Sequence, residues 1–332
     1  MNINYLVFIT LKLILLTACG KKNNKTIPTP TPTTPPATST STESAKITAA
    51  TTTANLNSTC TSIQPFYWEI GSSTGALGGS SVGGSNPDAN TVLQIASASK
   101  LIFASYVLEK RNGVLSASET KGLNFTSGYS TFSSCVGQST VGLCYSNITA
   151  YNGTHHNKFY YGGGHMQKIA AVDLEISALS PTTLGTEISS FIGSDVGIAF
   201  NIPQPAGGVQ LSANGYARFL RKILDQSLKM SSFLGTNPIC TNPTTCSSTA
   251  VYTPIPTTES WSYSLGHWIE SDPVSGDGSF SSPGLYGFYP WISSDKTRYG
   301  IVARHDNGST AYWDSVLCGR LIRKAYLSGV AQ

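Results

Sequence analysis

Charged residues are scarce in this sequence. They make up 11% of its 332 residues, against roughly 25% in an average domain, so uncharged polar residues and glycine must cover most of the surface. The formal net charge of +4 is small for this length, and the basic residues form no stripe of the kind that neutralises nucleic-acid phosphates. We therefore expect no nucleic-acid partner.

The sequence also lacks a hydrophobic run long enough to span a bilayer comfortably. The apolar run at residues 5–20 is too short for that role, and it contains the letters LTAC at residues 16–19. These letters resemble a bacterial lipoprotein signal, in which residues 1–18 are a signal peptide and Cys19 carries lipid. The alternative is an ordinary secretory signal with a chance cysteine. The resemblance implies a lipid-anchored protein of the bacterial cell envelope, and Gly20 resembles the residue found in lipoproteins sorted to an outer membrane, so an outer-membrane or periplasmic face is expected.

No C-x-x-C pair is present and the five histidines are scattered, which disfavours a metal site. The sequence has seven cysteines, and six remain when Cys19 is set aside. In an exported protein this even number indicates disulfides, although six cysteines allow 15 pairings. Short loops favour Cys135–Cys144 and Cys240–Cys246, which would leave Cys60–Cys318 to join the two ends of the domain.

The composition changes near residue 58. Residues 19–58 are rich in Thr and Pro with almost no large apolar side chain, which predicts an extended tether that buries no core. We expect one folded domain over residues 59–332. The hydrophobic periodicity predicts a strand near 92–95, antiparallel strands near 263–269, 286–292 and 298–304, and helices near 100–110, 210–228 and 313–329. Strands at both ends with helices between them predict a mixed α/β (α+β) fold rather than alternating βαβ units.

The pattern S-x-x-K occurs three times, at Ser97–Lys100, Ser118–Lys121 and Ser293–Lys296. An activated serine needs a base within hydrogen-bond reach, and residues three apart lie on one face of a helix. Burial can lower the pKa of a lysine toward neutrality and make it a usable base. Ser97 alone follows a predicted strand and precedes an apolar helix, whereas Ser118 is predicted in a polar loop and Ser293 in a turn. We therefore predict that Ser97 is the nucleophile and Lys100 its partner.

Further motifs follow in order over residues 90–305, and together with S-x-x-K they resemble the serine β-lactamase and penicillin-binding-protein family. The similarity is to the class C-like branch, which also holds D-alanyl-D-alanine carboxypeptidases, esterases and nylon-oligomer amidases. The matching segments are TSGY at 126–129, FYYGGGH at 159–165, AGGV at 206–209, SANGYARF at 212–219, YSLGHW at 263–268 and SPGLYGF at 282–288. The resemblance implies an antiparallel sheet built from both chain ends and flanked by helices, with an inserted, mainly helical domain.

The resemblance also implies a tyrosine that carries protons between nucleophile, lysine and leaving group. Tyr161, in the segment FYYGGGH, is the first candidate, and Tyr145, which carries the letters Y-x-N intact, is the alternative. If Tyr161 fills the role, Gly163 stands where the family has asparagine. In the last motif Ser282 stands where lysine or histidine is usual, which counts against a conventional β-lactamase.

Gly284 fits the last motif, and Gly163, Ser282 and Gly284 are expected to contact substrate. The backbone N–H groups of Ser97 and Leu285 are expected to form the oxyanion hole. The resemblance implies a serine hydrolase that acts on a small amide, peptide or ester, with cell-wall peptides as one option, and that requires no cofactor or metal. The protein is expected to be a lipid-anchored monomer. Because two motif positions differ, the alternative is a non-enzymatic binding protein of the envelope that retains the fold.

Overall fold

The computed structural model describes residues 41–332. The expected signal peptide at 1–18, the lipidated Cys19 and the tether up to residue 40 lie outside the described residues. The remainder, Ser41–Gln332, is one compact unit. None of the helices in this part of the chain combines the length and the hydropathy needed to cross a membrane.

The largest sheet in the described residues has eight strands in the order β2-β1-β13-β12-β11-β10-β9-β7, and its neighbouring strands are antiparallel. Strand β1 pairs with β13, so the two ends of the domain meet in the sheet. The strands are β1 (Phe66–Ser72), β2 (Gly75–Val82), β3 (Leu93–Gln94), β4 (Phe159–Tyr160), β5 (Ala199–Phe200), β6 (Val209–Leu211), β7 (Ile239–Cys240), β8 (Ala250–Tyr252), β9 (Ser262–Ser264), β10 (His267–Ile269), β11 (Phe280–Ser281), β12 (Tyr289–Ile292) and β13 (Tyr299–Ala303).

Helices flank this sheet, and most of the chain between β3 and β7 in the sequence is helical or irregular, with only the short strands β4 to β6. The helices are α1 (Glu43–Leu56), α2 (Ser58–Thr61), α3 (Ser99–Lys110), α4 (Ala117–Leu123), α5 (Val141–Ile148), α6 (Gly164–Lys168), α7 (Pro181–Ile192), α8 (Ala213–Leu224), α9 (Met230–Phe233) and α10 (Ala311–Ser328). The helices α3 to α9 lie in the middle of the chain, while α1, α2 and α10 lie near its ends. The predicted mixed fold, with a sheet from both chain ends and helices inserted between, is confirmed.

Helix α3 is the buried centre of the molecule. Every residue from Ser99 to Leu108 is buried, because apolar side chains surround the axis rather than forming one stripe. The sequence predicted an apolar helix here, and the structure buries all of its faces. Lys100 is therefore carried into the interior by the helix itself.

Two predicted strands differ from the structure because of glycine turns. Residues 263–269 form two strands, β9 and β10, joined at Leu265 and Gly266, whose φ values are 36° and 84°. Positive φ at both central residues matches the right-handed twist of a hairpin. The strand predicted from 286 starts at Tyr289, because Gly287 has a φ of 95° and the Gly284 N–H donates to the Phe288 carbonyl oxygen, closing a turn.

The folded domain begins earlier than the sequence predicted. The tether was expected to extend to residue 58, but residues 43–56 form α1, which packs on α10. Helix α1 begins after Thr42, whose side chain accepts a hydrogen bond from the Ala45 N–H. Its buried side chains are small, namely Ala49, Ala50, Thr53 and Ala54. Small side chains let two helices approach closely, so a segment with few large apolar residues still contributes to the core.

Three disulfides join the six cysteines in the expected pairs. The Cα atoms of Cys60 and Cys318 are 4.9 Å apart, and this bridge links α2 to α10. The other two close short loops, Cys135–Cys144 and Cys240–Cys246. Three disulfides fit an oxidising, extracytoplasmic compartment.

Candidate active site

Ser97 lies in a 3₁₀ turn between β3 and α3. The turn covers Ala96–Ala98, and α3 starts at Ser99, so Ser97 precedes the helix rather than beginning it. Ala96 has a φ of 44°, a left-handed conformation that is uncommon for a residue with a Cβ and that clusters at functional sites. The Ser99 hydroxyl holds the turn, because it donates to the Ala96 carbonyl oxygen and accepts from the Val209 N–H.

Lys100 brings its amine to the Ser97 hydroxyl. Its Nζ lies 2.8 Å from Ser97 Oγ and donates to the Ala206 carbonyl oxygen at 2.8 Å. The side chain is buried, and burial lowers the pKa of Lys100 to about 7, because a charged ammonium loses its hydration there. At neutral pH a large fraction of this amine is therefore uncharged and able to accept a proton from Ser97.

Tyr161 is the third polar side chain of this cluster. Its ring stacks on Trp268 with the centroids 5.1 Å apart, and Lys100 Nζ lies 4.9 Å from the centroid of the Tyr161 ring. Burial raises the pKa of Tyr161 to about 12, and interactions of its hydroxyl with Ser97 and Trp268 offset part of that rise. Tyr161 therefore carries its proton throughout the neutral range.

A small cavity of about 70 Å³ adjoins Ser97 and Tyr161. Leu285 is 50% exposed and marks the side of the cavity that faces solvent. The cavity is lined by Ser97, Tyr161, Pro254, Ile255, Trp268, Pro283, Leu285 and Tyr312. None of these side chains carries a charge at neutral pH. Pro254, Ile255 and Tyr312 belong to no sequence motif and reach the cavity from segments far from Ser97 in the chain, so no local pattern predicted their contributions.

The segment that precedes β12 fits closely against the Ser97 turn. A Cβ built on Gly284 would lie 2.1 Å from the Ile95 carbonyl oxygen, so only glycine is accommodated there. Leu285 follows and reaches the cavity. In residues 41–332, the N–H groups of Ser97 and Leu285 have no protein acceptor. Two free N–H donors beside one serine can bind a negatively charged oxygen.

Two of the residues expected to contact substrate have other partners. The Ser282 hydroxyl is buried and donates to the Ser97 carbonyl oxygen at 3.1 Å. A Cβ on Gly163 would lie 2.7 Å from the Phe132 ring, so the ring occupies the space that a longer side chain would need. Neither Ser282 nor Gly163 lines the cavity. Gly284 does not line it either, and its lack of a side chain lets its backbone lie close to that of Ile95.

Tyr145 lies elsewhere. It belongs to α5 and packs against Tyr129, with ring centroids 6.1 Å apart, and it does not line the cavity at Ser97. Of the two tyrosines that the sequence left open, the structure brings Tyr161 to the Ser97–Lys100 pair.

The other two S-x-x-K sites are built differently. Ser118 lies in the first turn of α4 rather than in a loop, and its hydroxyl contacts Lys168 Nζ at 2.7 Å instead of Lys121. Ser293 lies in the turn between β12 and β13, as predicted, and its hydroxyl donates to Asp295. Lys296 points away and donates to the Ser231 carbonyl oxygen. Neither serine has its motif lysine as a partner.

Among residues 41–332, no three His, Cys, Asp or Glu side chains are grouped closely enough to hold a metal ion. The buried His165 bonds with Ser127 and the Tyr160 carbonyl oxygen, and burial lowers its pKa to about 3. His267 accepts from the Gly235 N–H and has a pKa lowered to about 3 for the same reason. Both histidines are packing residues that stay neutral near pH 7.

No protein-family model and no curated protein matches this sequence. Three solved structures illustrate its structural similarity. A β-lactamase from Mycobacterium bovis aligns with a TM-score of 0.55 and 15% identity over 79% of this chain and 96% of that one. A D-stereospecific amidohydrolase from Streptomyces sp. aligns with a TM-score of 0.55 and 11% identity over 84% and 99% of the two chains. A penicillin binding protein from Bacillus halodurans aligns with a TM-score of 0.54 and 11% identity over 79% and 98%.

Proposed function

We propose that this chain, which has the β-lactamase/transpeptidase-like fold, is a serine hydrolase that forms an acyl-serine intermediate on a small amide, peptide or ester. The observation that carries the proposal is the 2.8 Å separation between Lys100 Nζ and Ser97 Oγ at one cavity with Tyr161. A structural role alone would not require a buried lysine with a depressed pKa beside a serine.

In the acylation step, Lys100 accepts the proton from Ser97 as Oγ bonds to the substrate carbonyl carbon. The carbonyl electrons move to the oxygen, which the N–H groups of Ser97 and Leu285 stabilise. When the tetrahedral adduct collapses, the bond to the leaving group breaks and Tyr161 supplies the proton that this group needs. Lys100 then returns its proton to Tyr161. A water molecule attacks the acyl group in a second, similar cycle and releases the acid.

The site supports a substrate other than a conventional β-lactam. In β-lactamases a cation at the position of Ser282 helps hold the substrate carboxylate. Here the Ser282 hydroxyl is occupied by the Ser97 carbonyl oxygen, and the residues that line the cavity are uncharged. A carboxylate placed there would lose hydration without gaining an ionic partner.

Covalent labelling tests the proposal. We expect a fluorophosphonate probe to label the purified domain, and the Ser97→Ala variant to lose the label. Ser118→Ala and Ser293→Ala are matched controls from the other two S-x-x-K sites and should keep it. An unlabelled but folded native protein would favour the alternative of a non-enzymatic binding protein, and a labelled Ser97→Ala variant would rule out this nucleophile.

We also propose that the protein is anchored to the cell envelope through lipid on Cys19. Stable membrane association would then depend on acyl chains at one cysteine. Cys19→Ser should move the protein to the soluble fraction and abolish incorporation of labelled fatty acid. Membrane fractionation and lipid labelling that both stay unchanged would exclude the lipoprotein signal.

A further inference from the structure

The cavity at Ser97 is covered by a short segment, residues 249–257, which we name the strap. The strap includes β8, which pairs in parallel with β4. The Phe159 N–H donates to the Thr249 carbonyl oxygen at 2.7 Å, and the Tyr161 N–H donates to the Tyr252 carbonyl oxygen at 3.0 Å. The strap is therefore bonded to the backbone of the same tyrosine that faces Ser97.

Further contacts hold the strap over the cavity. The Tyr312 hydroxyl, on α10, donates to the Pro254 carbonyl oxygen at 2.6 Å. The buried Asn242 amide donates to the Thr257 carbonyl oxygen at 2.9 Å. The disulfide Cys240–Cys246 closes the loop that precedes the strap in the sequence. These attachments on both sides make the strap a fixed wall rather than a free loop.

The strap and Tyr312 give the cavity its size and polarity. Ile255 is 3% exposed, and it lines the cavity with Pro254, Tyr312 and Trp268. At about 70 Å³, the space is equivalent to about two to three water molecules at roughly 30 Å³ each. The walls are mostly hydrocarbon and aromatic rings, and none of the side chains that line the cavity carries a charge at neutral pH. The acyl group stays attached to Ser97 after the leaving group departs, so it is the part of the substrate that must fit this space.

We infer that the strap and Tyr312 restrict this hydrolase to esters and amides of short, uncharged carboxylic acids, with an acyl group of about two to four carbon atoms. This inference rests on the proposed function and adds to it the class of acyl group accepted. Ile255 and Tyr312 are its specificity-determining residues. A longer chain meets Ile255 and the Pro254 ring, and a carboxylate in the acyl group meets no charged side chain among those that line the cavity.

The test compares p-nitrophenyl esters of four acids on the purified domain. We expect kcat/KM for acetate and butyrate to exceed that for octanoate by at least about tenfold, because a pocket that is too small excludes extra methylenes. The hemisuccinate, which has the four-carbon acyl chain of butyrate with the terminal methyl replaced by a carboxylate, should also be at least about tenfold slower than butyrate. Octanoate or hemisuccinate turned over as fast as butyrate would overturn the inference.

Variants then locate the selectivity. Ile255→Ala enlarges the cavity, and Tyr312→Phe removes the bond to the Pro254 carbonyl while keeping the ring, so each should raise the octanoate-to-acetate ratio about tenfold or more. Val251→Ala and Tyr252→Phe are controls in the same segment with side chains 37% and 47% exposed, and they should leave the ratio unchanged. An unchanged ratio in both test variants would overturn the role of the strap.

Fluorophosphonate labelling of Ser97 in each variant separates the possible failures. Labelled protein without chain-length or charge preference contradicts the selectivity and leaves the hydrolase proposal in place. A folded protein that neither takes the label nor hydrolyses any of the esters contradicts the hydrolase proposal, and the selectivity falls with it.

Discussion

Lys100 lies in an environment very different from that of an ordinary surface lysine. Its amine is buried by α3 and has two polar neighbours, Ser97 Oγ and the Ala206 carbonyl oxygen, with no carboxylate bonded to it. Such a site favours the neutral amine over the ammonium. In the proposed mechanism, this burial supplies the base that a weak serine nucleophile needs.

The pH dependence of labelling follows from this burial. Lys100 must be neutral to accept the Ser97 proton, and its pKa is about 7. The second-order rate constant for fluorophosphonate labelling should therefore fall about tenfold per pH unit below 7 and level off above it. Tyr161, with a pKa of about 12, stays protonated and causes no decline up to pH 10.

Titration of the buried His165 and His267 would not produce this fall in the labelling rate below pH 7, because burial lowers their pKa values to about 3. Lys100→Met should abolish most of the labelling and its dependence on pH. Lys168→Met, which replaces the lysine beside Ser118, should retain both the labelling and its pH dependence. A labelling rate that does not vary between pH 5 and pH 9 would contradict Lys100 as the base.

We predict that Tyr161, rather than Tyr145, carries the proton to the leaving group. Tyr161→Phe should lower kcat for ester hydrolysis by about 10²–10⁴-fold, because it removes a positioned proton donor. Tyr145→Phe should change kcat less than about threefold, since Tyr145 packs against Tyr129 away from the cavity. Comparable losses in the two variants, measured with an alkyl acetate whose leaving alkoxide needs a proton, would show that Tyr161 is not the proton carrier.

Helix α1 is the element that the amino-acid composition of residues 19–58 had assigned to the tether. Alanine is the best helix former, and the segment ESAKITAATTTANL has four alanines. The helix has no strong apolar face of its own, so its stability comes from packing on α10. The C-terminus adds a contact, because the Gln332 N–H donates to the Thr53 hydroxyl at 2.9 Å.

A charge introduced into this contact tests it. Ala50→Glu should lower the free energy of unfolding by at least about 2 kcal/mol, because Ala50 is fully buried and a carboxylate there has no partner. Ala45→Glu, an exposed position in the first turn of α1, should change it by less than about 0.5 kcal/mol. Equal denaturation midpoints for both variants would show that α1 is not part of the cooperative unit.

At the scale of the whole molecule, the two ends of the domain are held together twice. Strands β1 and β13 pair side by side, and the disulfide Cys60–Cys318 joins α2 to α10 across a separation of 258 residues. A bridge over so long a loop removes much of the freedom of the unfolded chain. The 3₁₀ turn with Ser97, the strap and Leu285 all lie between these two ends in the sequence.

Removing this bridge should therefore cost more than removing a short one. The double variant Cys60→Ala, Cys318→Ala should lose about 5 kcal/mol of unfolding free energy in the chain-entropy model. Cys135→Ala with Cys144→Ala, where the separation is 9 residues, should lose about 2–3 kcal/mol. Losses of the same size, measured by denaturant unfolding, would contradict the dependence on loop length.

The sequence by itself determined the parts of this protein that depend on local order. The S-x-x-K pattern between a strand and an apolar helix identified Ser97 and Lys100 as a pair, because three residues of helix bring two side chains to one face. Loop lengths indicated the pairing of the cysteines. Strands at both ends with helices between were enough to predict the fold class.

The tertiary structure alone decided what depends on distant residues. Tyr161 and Tyr145 carry the same chemistry, and only the fold brings one of them to Ser97. Phe132 fills the space beside Gly163, and the strap meets Tyr312 from α10 to enclose the cavity. Local patterns contain no information on these contacts, because each joins chain segments that are far apart in sequence and adjacent only after the sheet and helices have packed.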